Sequence, residues 1–121
     1  MKMSSGFKTI AEACKGHEYG HVPGHHYHDV EVGVGHKGAQ YRAVVLETWG
    51  SAQGYDEEHG RRKVVARGTD PRDVLRECAT RARAAGIGGD DPKHASYLVQ
   101  ALSECEDALE DALETQQATS A

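Results

Sequence analysis

Two Asp-Pro pairs constrain this chain more than any other feature. In Thr69-Asp70-Pro71, and again in Asp91-Pro92, an aspartate able to cap a helix precedes a proline suited to the first turn. Each pair therefore marks a helix start. After Pro71, the residues Val74, Leu75, Cys78, Ala79 and Ala82 form one apolar stripe, closed by Gly86. After Pro92, Leu98, Leu102, Cys105, Leu109 and Ala112 recur at alternating steps of four and three, a heptad-like seam ending near residue 115. That seam can pack on the rest of the chain, or it can pair with a second copy and give a homodimer through the last helix. The tail 116–121 is expected to fray.

Ahead of the first pair the period changes to two. His28, Val30, Val32 and Val34 alternate with Asp29, Glu31 and Gly33, the pattern of a half-buried strand. A turn at 35–38 leads to a second strand at 41–49. A polar connection at 50–60 then leads to a third at 61–67, centred on Val64, Val65 and Ala66. Short connections predict an antiparallel meander over 28–68. At the start, Ser4 or Ser5 can cap a helix over 4–16, in which Phe7, Ile10, Ala11 and Cys14 fall at helical spacing and Gly16 is the stop. The expected architecture is one small α+β domain over 1–121. Its order is α-β-β-β-α-α, a three-stranded antiparallel sheet packed by two helices over 70–115, the last long and acidic. A sheet edge left uncovered is a natural place for another chain to add.

Composition limits the core. Leu, Ile, Val and Phe together number 19 of the 121 residues, whereas alanine alone numbers 16. A core this small gains stability from a partner. A bilayer span needs about 20 apolar residues, far more than the short run at 43–46 supplies, so a membrane span is excluded. Cys14, Cys78 and Cys105 are far apart and form no C-x-x-C, which predicts reduced packing thiols. No apolar block follows Lys2, so no secretory signal is expected and a cytoplasmic location is.

Charge is segregated. Arg61, Arg62, Lys63, Arg67, Arg72, Arg76, Arg81 and Arg83 face only three acids within 61–83, a net of +5. Glu104, Glu106, Asp107, Glu110, Asp111 and Glu114 give −6 within 104–114. The two blocks can neutralise each other within the fold. Alternatively, Glu106, Asp107, Glu110 and Asp111 can dock on a basic partner. A third reading has Arg61, Arg62, Lys63, Arg67, Arg72 and Arg76 binding nucleic-acid phosphates, but the overall net charge of −5 and the lack of interleaved aromatics weigh against it.

The most unusual stretch is 16–29, which holds five of the eight histidines. His17-Glu18-x-x-His21 resembles the H-E-x-x-H zinc site of metallopeptidases, where Glu18 would act on a zinc-bound water. Gly16, Gly20, Pro23 and Gly24 are poor company for the helix such a site needs, and Tyr27 stands where the extended motif would place its third histidine. The match is read as fortuitous. Metal binding without catalysis remains an alternative, with zinc or nickel held by His17, His21, His25 and His28.

Gly33-Val34-Gly35-His36-Lys37-Gly38 fits G-x-G-x-x-G, yet it leads into a strand and not a helix, so it reads as a hairpin turn. The connection 50–60 is longer than a hairpin needs and places Tyr55, Asp56, Glu57 and Glu58 beside Trp49. No catalytic motif survives, and no resident cofactor is expected. The expected function is therefore a non-catalytic interaction module. A small bacterial or phage inhibitor or regulator fits, of the antitoxin or anti-defence (anti-CRISPR) kind. It would dock a protein through the acidic helix, through Trp49 and the loop after it, or through a sheet edge.

Overall fold

The fold is seen in a computed structural model that describes residues 6–16, 26–51 and 59–120. Strands β1 (Lys8–Gly16), β2 (His26–Lys37), β3 (Gln40–Ser51) and β4 (His59–Gly68) precede helices α1 (Pro71–Ala84) and α2 (Pro92–Ser120). Among the described residues the strands form one antiparallel sheet in the order β1-β2-β3-β4. The chain is thus a small α+β fold, and no helix in the described part is long and apolar enough to cross a membrane.

The segment 4–16, expected to be helical, instead supplies strand β1. Among the described residues the sheet has four strands and not three, and the order is β-β-β-β-α-α. A β-bulge explains the misreading. Thr9 pairs with Gly35 and Ala11 with Val34, so Ile10 is an extra residue. Ile10 and Ala11 then both pack on the core, followed in alternation by Ala13, while Cys14 is exposed. The bulge breaks the period of two and imitates a helical stripe. At the other end, α2 continues to Ser120 through the segment expected to fray.

Both helices lie on one face of the sheet, α1 over β3 and β4, α2 over β1 and β2. Two rows cross all four strands on that face: Ala11-Val34-Ala43-Ala66 and Ala13-Val32-Val45-Val64. They meet Leu75, Cys78 and Ala82 of α1, and Leu98, Leu102, Cys105 and Leu109 of α2. The heptad-like seam is therefore occupied by the chain's own sheet. Lys15, on the same face at the β1 edge, reaches Glu104 of α2 at 2.9 Å.

The two Asp-Pro pairs act as read. The Asp70 carboxylate accepts from the backbone N–H of Arg72 at 2.9 Å and of Asp73 at 3.1 Å, and that of Asp91 accepts from the N–H of Lys93 at 2.9 Å. Helix α1 closes where expected. The Ile87 N–H donates to the Ala82 carbonyl at 3.0 Å across Gly86, whose φ of 78° favours glycine.

Candidate functional site: a polar cleft at one end of the covered face

Along the covered face, towards the start of β2, the rows change chemistry. Val30 pairs with Glu47 and Glu47 with Arg62; the next row is His28, Trp49 and Gly60. A carboxylate thus sits on the inward side of the sheet, 3% exposed. Burial of a carboxylate is costly unless it is bonded. One Glu47 oxygen accepts from His28 Nε2 at 2.9 Å and from the Gly88 N–H at 2.7 Å. Its other oxygen lies 3.9 Å from Arg62 Nη1.

The α1–α2 connection is shaped for that contact. Gly88 has φ 90°, and a Cβ there would lie 2.9 Å from Ala95 Cα, so only glycine brings the N–H to Glu47 without strain. Arg62 Nη1 also donates to the Gly86 carbonyl at 3.0 Å. Glu47 and Arg62 together pin the connection and the start of α2 onto the sheet.

Above this polar floor the rings gather. His94, in the first turn of α2, stacks on His28 with centroids 3.8 Å apart and planes 4° apart. Trp49 lies 6.2 Å from His28 at 15°, and the Arg62 guanidinium stands 5.5 Å above the indole. The indole rests on Gly60, where a Cβ would come within 2.0 Å of its Cε2. Tyr27, His28, Trp49, Arg62, Asp90 and His94 are among the residues lining a cleft of about 420 Å³, within the size range of ligand and anchor pockets.

Of the expected site residues, the structure brings Trp49 and His28 into this cleft. Tyr55, Asp56, Glu57 and Glu58, and likewise His17, His21 and His25 with the H-E-x-x-H match, lie outside the described residues. Within the described part no group of three or more His, Cys, Asp or Glu side chains is placed to hold a metal ion. Sequence reasoning missed Glu47, Arg62 as a cleft residue, Gly88 and His94. A signal for Glu47 was present, since it alternates with Val45 and Trp49 on the inward side of β3. His94 and Gly88 carry none.

The acidic residues of α2 stand elsewhere. Glu106, Asp107, Glu110 and Asp111 are exposed, and a groove lined by the first three of them also holds Arg72 and Arg76 of α1. Glu110 receives both Arg72 Nε and, at 2.9 Å, Arg72 Nη2. The hydrogen bond from Arg72 holds the Glu110 carboxyl below its usual range, and the same bond raises the guanidinium further. Arg76 pairs with Asp73 at 3.1 Å. The basic block is thus divided: Arg72 and Arg76 pair on the helices, Arg62 lies in the cleft, and Arg61, Lys63 and Arg67 are exposed on the sheet. Burial pushes the Cys78 thiol up to about 11 and the Cys105 thiol up to about 12, so both are neutral packing groups. Comparison with known proteins finds no family model, no curated protein and no solved structure that matches the chain.

Proposed function

We propose that this protein is a non-catalytic binding module that seats a protein partner in the His28–Trp49–His94 cleft. The observation that supports this is convergence: Trp49, Tyr27 and Arg62 share one concave site. Trp, Tyr and Arg are the residue types that dominate binding hot spots, and such hot spots favour well-packed pockets. The floor is held by Glu47, Gly88 and Arg62, so little ordering is left to be done on binding. A small inhibitor or regulator of bacterial or phage type fits this reading. The acidic α2 surface then acts as a secondary, steering element, because part of its charge is already matched by Arg72.

The deciding experiment is quantitative affinity capture from the native host, comparing wild type with Trp49→Ala, Arg62→Ala and a quadruple Lys reversal at Glu106, Asp107, Glu110 and Asp111. The reading expects one protein to be lost on Trp49→Ala and Arg62→Ala while the reversal weakens its capture less. Equal capture by wild type and Trp49→Ala sinks it.

A second reading rests on the His28–Glu47 pair. An imidazole oriented by a buried carboxylate is the arrangement of a general base. It requires turnover of an ester or amide substrate that His28→Gln abolishes, and its absence across a hydrolase substrate panel leaves the pair a structural pin.

A further inference from the structure

The Glu47 carboxylate at the floor of the cleft is satisfied on one side only. Both donors that reach it, His28 Nε2 and the Gly88 N–H, fall on Oε2. Among the described residues Oε1 accepts no hydrogen bond, and Arg62 Nη1 stays 3.9 Å away from it. That Nη1 is committed elsewhere: it donates to the Gly86 carbonyl at 3.0 Å, with the Ala85 carbonyl at 3.4 Å. A carboxylate has about four acceptor sites, so Glu47, buried yet lining the cavity, keeps capacity there for a donor from outside. At the mouth stands Asp90, exposed, with no hydrogen bond or ion pair to its carboxylate among the described residues. Asp91 is spent as the α2 cap, on the Lys93 N–H. The formal charges of the described lining residues are thus three carboxylates, Glu47, Asp90 and Asp91, against the guanidinium of Arg62. The walls suit a cation too, because the Trp49 indole already has one beside it, that of Arg62 at 5.5 Å, and Tyr27 lines the same space.

We propose that the group this cleft takes is a cationic side chain, arginine or lysine, whose charge donates to Glu47 Oε1 and approaches Asp90 while its stem lies along Trp49. The inference rests on the cleft being the seat of a protein partner, as proposed above, and names the chemistry of what sits there. An acceptor with no donor at the floor of a cavity selects sharply. A partner residue that cannot donate covers Oε1, strips its water and leaves it unbonded. An acidic residue meets like charge from Glu47 and Asp90. Arginine and lysine supply the missing donor, and both carry apolar stems able to cover an aromatic surface. Arg62 does not fill this role itself. Carbonyls of the α1–α2 connection hold its guanidinium, so its part is to fix the wall of the cleft. The exposed acids of α2, Glu106, Asp107 and Asp111, favour the approach of the same basic partner.

The single tryptophan makes the test direct, since emission from Trp49 reports occupancy of the cleft. The full chain is titrated with capped peptides Ac-Ala-X-Ala-amide in which X is arginine, lysine, citrulline or glutamate. Citrulline keeps the shape of arginine without its charge. The arginine or the lysine peptide should bind about tenfold or more tighter than the citrulline and glutamate peptides, the scale of one hydrogen bond to a charged group. Added salt should narrow that gap. Glu47→Gln should abolish it, with circular dichroism confirming the fold. Asp90→Asn, at an exposed position that leaves the fold intact, should weaken the cationic peptide by about two- to fivefold and carries the test if Glu47→Gln does not fold. The inference is overturned by a citrulline or glutamate peptide that binds as tightly as the cationic ones, by no saturable change with any peptide, or by a charge preference undiminished in the folded variants. The two readings fail separately. Host capture indifferent to Trp49→Ala, beside a clear preference for the cationic peptides, removes the partner's seat and upholds the cation site. Capture that depends on Trp49, beside equal binding of charged and neutral peptides, removes the cation site alone.

Discussion

On the helix-covered face of the sheet, chemistry changes along the strands; on the opposite face it changes across them. Beneath the helices, Val34 and Ala43 give way along β2 and β3 to Val32 and Val45, then to Val30 and Glu47, then to His28 and Trp49. The far side runs from Glu12 at one edge through Leu46 to Lys63 at the other. The first gradient buries two helices and leaves a polar cleft where they run out. The second sets Glu12 and Glu31 near one edge and Lys63 and Arg67 at the other. Strand alternation lets one set of residues carry both patterns without interference, because neighbours in sequence report to opposite faces.

The contrast breaks most visibly in the apolar middle of the covered face. Leu109→Ala, at a position 1% exposed, should cost about 2–5 kcal/mol in urea unfolding. Leu46→Ala on the opposite face, where the side chain is half-buried, should cost about 1 kcal/mol. Equal losses would mean that Leu46 is as fully packed as Leu109.

The polar end comes next. Glu47→Ala leaves His28 and the Gly88 N–H without their buried acceptor, a loss of about 1–3 kcal/mol. Glu31→Ala, a carboxylate on the face away from the helices, should stay within about 0.5 kcal/mol. The single tryptophan reports on the same end: Gly60→Ala must displace the indole and shift its emission.

The cysteines sharpen the comparison through pH. For Cys78 and Cys105 the folded state favours the thiol, with values raised from 9.0 to about 11 and about 12, so the unfolded chain gives up its protons first. Their contribution to stability is complete below pH 9.0 and is lost as pH rises through about 11 and 12. The urea midpoint should fall over that interval. At pH 8 a maleimide should modify the exposed Cys14 at once and the two buried thiols only on unfolding. Rapid loss of all three would refute the packing role.

The smallest expected effect lies at the helix surface. Glu110 has its folded value lowered by Arg72, so what it adds is present above its ordinary value of 4.5 and disappears as pH falls through the lowered one. Glu110→Gln should lower the melting temperature slightly at pH 7, where salt screens the pair, and by progressively less as pH falls through the lowered value.

Much of this molecule was set by the chain alone. Both helix starts followed from Asp-Pro, the stop at Gly86 followed from glycine, and the strand beginning at His28 followed from alternation, because caps, turns and period are properties of a few neighbouring residues. The inward placement of His28 was legible for the same reason. Strand β1 was not, because a one-residue bulge at Ile10 replaces its period with one that mimics a helix, and only pairing with β2 reveals the bulge. The cleft was half legible: Trp49 stood out by type, whereas Glu47, Arg62, Gly88 and His94 come from four separate elements and meet only when the α1–α2 connection folds over the end of the sheet. The placement of charge on the opposite face was likewise hidden, since Glu12 and Arg67 are 55 positions apart in sequence and register alone sets them at opposite edges of one surface. Local geometry is written in short stretches of sequence; adjacency between distant residues is decided by which surfaces must be buried together, and that is a property of the whole fold.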